Sequence, residues 1–355
     1  MWIGPPLYAR VVRGAEESAR RPTIREVAAV AGVSVSTAAR AVNGKTTVDP
    51  ELAAKVRGAV AMLGYRKQRA AGSLRGARSG TVGVIVDDVT NPFFATVLRG
   101  IENVARPRGV MTLSGSSDDR SADERSLVDA FLERGVEGLL IVPSGTDQSY
   151  LQPDLRSGTV AVFLDRPAKF LDADAIVSDN VTGMRAAVSH LVAGGHRRIG
   201  LIIADRPGIF TAYERQRGYE EALREHQLAI DPTLIGVTDL RGSDADAVTR
   251  QLLEGDEPPT ALITAHNLIT IGTLRGLQAL ERERDVALVA FDDLALAELV
   301  KPPLTVVKQD AYGLGRRGAE LLLERLEGFS GPGRHLVLPT TLVARGSGEI
   351  PPPPR

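Results

Sequence analysis

No cysteine occurs in the 355 residues. That excludes a disulfide scaffold, a Cys-ligated zinc or iron–sulfur site, and a thiol nucleophile. No run of about 18 apolar residues is present, so the sequence offers no membrane span. The opening residues, MWIGPPLYARVVRGAEESARR, have no continuous apolar core of the kind a secretory signal needs. The expected location is the cytoplasm. Catalytic signatures are missing too: no G-x-S-x-G, no Walker loop and no H-E-x-x-H. The five histidines, at 190, 196, 226, 266 and 335, are scattered. The expectation is a protein without enzymatic activity, cofactor or metal.

What is present is an uneven charge. The chain carries a net −1, with 43% hydrophobic and 25% charged residues, an ordinary soluble composition at a length suited to two or three domains. Residues 1–80 hold 14 Lys+Arg against 5 Asp+Glu, a net of +9, which leaves a net of −10 for the rest. A small basic head on an acidic body is the electrostatic footprint of a nucleic-acid-binding domain joined to another function. A solvated basic tail is the competing reading.

Pattern decides between them. Residues 1–20 show no periodicity and read as a disordered extension. Thr23-Ile24-Arg25-Glu26 then forms a capping box, and Val27, Ala28 and Ala31 share one helical face. Gly32 ends that helix and Ser34 can cap the next, from Val35 to about Val42, closing at Asn43-Gly44. Asp49-Pro50 opens a third helix, striped by Leu52, Val56, Val60 and Leu63. Three short helices with a tight turn between the first two make a helix-turn-helix, whose second helix presents its first turn to base edges. Val35 can touch a thymine methyl, Ser36 can bond either edge type, and Arg40 can pair with guanine. Ser34, Thr37, Asn43 and Tyr65 suit phosphates. Taken alone, Arg40 could equally be a solvated charge.

The run R-P-T-I-R-E-V-A-A-V-A-G-V-S-V-S-T-A-A-R-A-V-N-G resembles the DNA-binding headpiece of the LacI/GalR transcription regulators. Ala39 stands where the family has a small polar residue. The resemblance implies a hinge helix over 67–79, whose Ala71 and Leu74 enter the minor groove and wedge between base steps. Two features depart from the family: Lys67 replaces the expected proline, and Gly72 weakens the helix by roughly 1 kcal/mol against Ala. A hinge that folds only on operator is one expectation, and a plain flexible linker is the other.

From Thr81 short β-rich runs (81–86, 110–114, 138–142, 160–164, then 198–203, 260–263, 285–290) alternate with amphipathic helices (among them 94–106, 122–134, 181–193, 212–227 and 267–281). Such alternation means βαβ units and parallel sheets, here in two similar sets. Parallel strands place ligand groups at their carboxyl ends. The body also resembles the LacI/GalR family and, more distantly, periplasmic sugar-binding proteins, through blocks such as Asp88–Phe94, Val162–Arg166, Arg215–Tyr219, Phe291–Asp293 and Leu304–Asp310. The expected fold is therefore an all-α helix-turn-helix headpiece (21–66) plus an α/β two-lobed periplasmic-binding-protein-like domain (80–348) of two Rossmann-like subdomains. The N-lobe takes about 80–177 and 310–338, the C-lobe about 178–306 and 339–348, with crossovers near 177–180, 306–310 and 338–341. A Pro-rich tail covers 349–355.

The resemblance implies effector contacts from Asn91, Phe94, Asp165, Arg215, His266, Asp292 and Gln309. Carboxylates and a guanidinium suit vicinal hydroxyls or an anionic group. Plainer readings stand beside several of these. Asn91-Pro92 can simply start a helix, Asp165-Arg166 can be a surface ion pair, and Phe94 can be core. His266, where the family commonly has Asn, can be a structural histidine or a pH-sensitive contact near pKa 6.5. Gly313-Leu314-Gly315-Arg316-Arg317-Gly318 matches G-x-G-x-x-G, but no strand runs into it, so it carries little weight as a dinucleotide site. The expected function is a sequence-specific, homodimeric repressor of operator DNA. A small-molecule effector, a sugar or sugar derivative, would control it. A solute-binding protein without DNA function is the alternative.

Overall fold

The computed structural model describes residues 22–43, 48–63, 65, 79–205 and 209–354. The hinge positions Ala71 and Leu74, and the 1–20 extension, lie outside the described residues.

The head is three helices: α1 (Ile24–Ala31), α2 (Val35–Val42) and α3 (Pro50–Leu63). The capping box at Thr23 and Glu26 is formed on both sides, Gly32 closes α1 at φ 65°, and Ser34 caps α2 through the Thr37 amide. Asp49 accepts from the amides of Glu51 and Leu52 at 2.9 and 3.3 Å, so α3 is capped as well. Val27, Ala28, Ala31, Ala38, Val56 and Ala59 make the small core, with Tyr65 packed against its edge.

The body is two copies of one plan. In the N-lobe, β1 (Thr81–Val86), α4 (Pro92–Ala105), β2 (Met111–Ser116), α5 (Ser121–Glu133), β3 (Gly138–Ile141), α6 (Gln152–Arg156), β4 (Val160–Leu164) and β5 (Asp174–Ser178) follow in order. The C-lobe repeats this with α7 (Asn180–Ala193), β6 (Ile199–Ala204), α8 (Phe210–Glu225), β7 (Ile235–Thr238), α9 (Ala245–Leu253), β8 (Ala261–Thr264), α10 (Asn267–Ala279), β9 (Ala287–Phe291) and β10 (Thr305–Lys308). The chain then returns through α11 (Ala311–Leu326), β11 (His335–Leu338) and β12 (Thr341–Val343). The sheets run β11-β5-β4-β3-β1-β2 and β12-β10-β9-β8-β6-β7, so each strand of one has its counterpart in the other. All pairings are parallel except β10 with β12.

Parallel strands covered on both faces must be apolar throughout, and the central ones, β1, β3, β4, β6, β8 and β9, are. In the N-lobe, Val84, Leu140 and Val162 face one cluster with α4 and α11 residues, while Ile85, Leu139 and Phe163 face another with Val128 and Phe131 of α5. The C-lobe repeats the arrangement, with Leu201, Ile263 and Val289 on one side and Ile202, Leu262 and Leu288 on the other. The chain passes between sheets three times: from β5 into α7, from β10 into α11, and from β11 into β12.

Five strands escaped the sequence reading: β5, β7, β10, β11 and β12. Each is short, and β7 and β12 are edge strands of mixed burial, where the apolar signal fades. The G-x-G-x-x-G run lies inside α11 and serves packing. A Cβ at Gly315 would collide with the Val97 carbonyl of α4, and one at Gly318 with Leu164. The residues after Gly348 are docked on the C-lobe: His196 Nε2 lies 2.8 Å from the Ile350 carbonyl, and Glu349 Oε2 accepts from Thr305 Oγ1 at 2.8 Å.

Candidate functional site

Two separate regions gather the candidate residues. On the head, α2 exposes its first turn. Val35 is 45% exposed, high for a valine, and Ser36 and Arg40 are exposed beside it. Arg40 Nε donates to the Ser36 carbonyl at 3.3 Å, which lays the guanidinium along the helix surface. Ser34 Oγ lies 2.9 Å from Ser36 Oγ and 2.8 Å from Thr37 Oγ1, so three hydroxyls cluster at the exposed helix start. Asn43 is exposed at the far end, whereas Tyr65 is half-buried and burial raises its pKa.

In the body, the carboxyl ends of the two sheets face one another. Asp165 follows β4 and Asp292 follows β9, at equivalent positions of the repeat. Both take left-handed backbone, φ 65° and 80°. Each is pinned by the next strand: Asp165 N donates to the Ile176 carbonyl at 2.8 Å and Asp292 N to the Val307 carbonyl at 2.9 Å. A non-glycine residue at positive φ is uncommon, and such strain clusters at ligand sites. The turn also breaks strand alternation, so Asp165 and Arg166 are both buried.

Arg166 is thus no surface pair. Its Nη1 donates to Asp119 Oδ1 at 2.7 Å and to the Pro143 carbonyl at 3.1 Å, with Asp165 at 3.4 Å and Asp87 at 3.8 Å. Burial pushes the Asp165 carboxyl up, Arg166 and Arg215 pull it back, and Asp292 adds to the rise. Burial likewise pushes Asp87, at the end of β1, up to about 6 against the pull of Arg166, with Asp119, Asp165 and Asp88 reinforcing the rise.

Arg215, on α8, is buried. Its Nε donates to Asn180 Oδ1 at 2.8 Å and its Nη1 to the Ala265 carbonyl at 2.6 Å, and it stacks over the Phe291 ring at 4.0 Å. Among the described residues no carboxylate lies within ion-pair distance of it. Desolvation lowers its pKa, and Asp292 and Asp165 oppose that. Gln309 Nε2 donates to Asp292 Oδ1, while Gln309 Oε1 is buried without a hydrogen-bond partner.

Asn91 caps α4 by accepting from the Phe93 amide at 3.0 Å, and it also reaches the other lobe. Asn267 Nδ2 donates to Asn91 Oδ1 at 2.7 Å, and Asn91 Nδ2 donates back at 3.4 Å. Arg241 to Asp118, at 3.2 Å, is a second link between lobes. Between them lies a cavity of about 150 Å³, lined by Asp87, Asp88, Asn91 and Asp118 from one lobe and by Asp239, Leu240, Arg241, His266 and Leu268 from the other.

Two expectations are corrected. Phe94 is 4% exposed and sits in the N-lobe core with Val86, Leu164 and Leu314; Phe93, edge-on to it at 5.2 Å, is the half-buried ring. His266 lines the cavity, but it does not titrate near 6.5. Desolvation pushes its pKa down to about 4; Asp292 opposes this and the charges of Arg215 and Arg166 add to it. It is therefore neutral at pH 7, and its Nδ1 caps α10 by accepting from the Leu268 amide at 3.3 Å. Arg166, Asp87, Asp119, Asn180 and Asn267 join the site without having been singled out from sequence.

Both the head and the body resemble known proteins. The lacI family of bacterial regulatory proteins matches residues 23–68, and a periplasmic binding protein-like domain matches residues 188–348. The HTH-type transcriptional regulator CelR of Thermobifida fusca is 33% identical over 342 residues, 94% of this chain and 100% of the relative. Among solved structures, a CelR–cellobiose complex superposes with a TM-score of 0.70 at 31% identity, covering 92% of this chain and 100% of that one. A lac repressor dimer bound to operator and the anti-inducer ONPF gives 0.69 at 28%, covering 93% and 99%.

Proposed function

Because this chain belongs to the lacI family of bacterial regulatory proteins, we propose that it is a homodimeric, sequence-specific transcriptional repressor whose operator affinity is set by a small molecule bound between its lobes. The reading includes a cytoplasmic, non-enzymatic protein; among the described residues no helix is long and apolar enough to cross a membrane. It divides the chain into a headpiece over 21–66, a hinge over 67–79 and a sensor over 80–348. The observation that carries it is the pairing of a capped helix-turn-helix, exposing Val35, Ser36 and Arg40, with a two-lobed body whose buried charges meet at facing strand ends.

In a dimer, two headpieces read two half-sites of a pseudo-palindrome. Val35, Ser36 and Arg40 read base edges, and Ser34, Thr37, Asn43 and Tyr65 hold phosphates. Ala71 and Leu74 open the minor groove. Asp165, Arg215, His266, Asp292, Gln309 and Asn91 hold a sugar or sugar derivative. The relatives seen with cellobiose, and with operator as a dimer, support this reading. An effector acts only through different affinities for the arrangements of the two lobes, and the crossovers carry that difference to the hinge. A solute-binding protein would have no use for the headpiece.

The test is Arg40→Ala. It should cost about 1–3 kcal/mol and relax preference at one base pair per half-site. Equal weakening on every duplex would make Arg40 a phosphate contact.

A further inference from the structure

Resting on the reading that the interlobe cleft holds the effector, we propose that this effector is a polyhydroxylated molecule carrying a protonated amine, and that Asp87 is the residue that receives the amine. The argument is a charge and hydrogen-bond inventory. Four carboxylates line the cavity, Asp87, Asp88, Asp118 and Asp239, against one guanidinium, Arg241, which is already paired with Asp118. The buried layer behind them adds Asp119, Asp165 and Asp292 against Arg166 and Arg215. His266 contributes no charge at neutral pH.

Some of this acidity has a local purpose. Asp88 accepts from the Thr90 amide at 2.8 Å, and Asp239 accepts from the amides of Arg241 and Ser243 at 3.0 and 2.9 Å. Asp87 has none. Among the described residues its carboxylate accepts no hydrogen bond, and its nearest cation, Arg166 at 3.8 Å, is drawn to Asp119 at 2.7 Å. The second orphan is independent of the rim: Gln309 Oε1, buried with no partner on the side chain that anchors Asp292. Both vacancies are acceptors. Gln309 stands outside the lining of the cavity, so the wall itself is represented by Asp87: a ligand there must bring a donor, and the surplus of carboxylates favours one that also brings positive charge. A phosphate or carboxylate brings more acceptors and the wrong sign.

Matched sugar series decide the matter with the purified full-length protein. Glucosamine, glucose, N-acetylglucosamine and glucose 6-phosphate, with the corresponding galactose and mannose sets, are titrated by calorimetry and thermal shift at pH 7.5. In at least one series the amine should bind at least tenfold more tightly than its hydroxyl parent, about 1.4 kcal/mol. The N-acetyl member, which keeps the shape but loses the charge, should bind no better than the parent, and the phosphate should not bind. Asp87→Asn should abolish the amine preference, bringing the amine and its hydroxyl parent to within threefold of one another. Tighter binding of a neutral or phosphorylated member, an amine preference that survives Asp87→Asn, or no shift in any series overturns the proposal. The wild-type comparison decides alone if the variant fails to fold. Operator retention by the same preparation separates the readings: neutral sugars winning on a DNA-competent protein removes the amine alone, whereas loss of operator binding removes the repressor reading.

Discussion

Removing the Asn267 side chain should let the lobes part. Asn267 is the better of the two amides to remove: Asn91 caps α4, whereas the Leu268 amide that Asn267 Oδ1 accepts at 2.8 Å also has His266 Nδ1 as an acceptor at 3.3 Å. The substitution Asn267→Ala deletes a 2.7 Å hydrogen bond between lobes and its 3.4 Å return, and leaves the buried Asn91 with its amide unsatisfied in the closed form. A hydrogen bond is worth about 1 kcal/mol net, and a buried orphan costs about 1–3 kcal/mol. Opening rehydrates Asn91, so the penalty falls on the closed arrangement only. About 2 kcal/mol shifts the closed-to-open ratio about thirtyfold. Arg241 to Asp118 is exposed and adds at most about 1 kcal/mol of compensation. The absence of native cysteine makes the assay clean: one cysteine on each lobe, at exposed Ser126 and Gln251, takes a spin label for distance measurement. The variant should show a second, displaced distance population that is minor in the parent. An unchanged distribution would refute the claim that this amide pair holds the lobes together.

Other outcomes follow from the same contacts. Asp174 accepts from Arg325 Nη2 at 2.7 Å and Arg334 Nη2 at 2.9 Å, tying the returning segment to the N-lobe. Asp174→Asn should cost about 3 kcal/mol by thermal or chemical denaturation, because two arginines lose their shared partner. Burial alone would raise the Asp174 pKa, but the hydrogen bonds from Arg325 and Arg334 outweigh it and hold the carboxyl well below its usual range. Its stabilisation is therefore complete above about pH 4 and is lost as pH falls further, so parent and variant should converge only in acid. For His266 the sign is opposite in origin: its folded pKa, about 4, lies below the unfolded value, so the proton binds the unfolded chain first as pH falls from 6.5. Effector affinity measured calorimetrically should then show no His266-dependent step between pH 6.5 and 8, so that His266→Gln and the parent should give profiles of the same shape. Gly315→Val should destabilise the N-lobe by well over 1 kcal/mol in chemical denaturation, since the α4–α11 contact has no room for a side chain.

The headpiece was legible almost residue by residue, because its caps and turn are local: Thr23, Glu26, Gly32, Ser34 and Asp49 all act within a few positions of themselves. The strands β1, β3, β4, β6, β8 and β9 were legible as continuous apolar runs; the short β5 and β10 beside them were not, nor was β7, since an edge strand buries only part of itself. The cleft was half legible. Asp165, Arg215, Asp292 and Gln309 stand in blocks that resemble the family. A surface pair stayed open as the plainer reading of Asp165-Arg166, because nothing local shows that the chain turns left-handed at Asp165 and carries its neighbour inward. Asn267 and Asn91 are 176 positions apart, and only the folded pairing of lobes makes them neighbours. Phe94 was misread for a similar reason: in a Phe-Phe pair opening a helix, sequence cannot tell which ring turns to the core.

The most direct measurement selects bound duplexes from a random pool with the full-length protein at moderate salt. Reading by two α2 helices of a dimer predicts enrichment of one pseudo-palindromic sequence, with half-site centres about one helical turn apart. Recovery of duplexes with no shared sequence would contradict it.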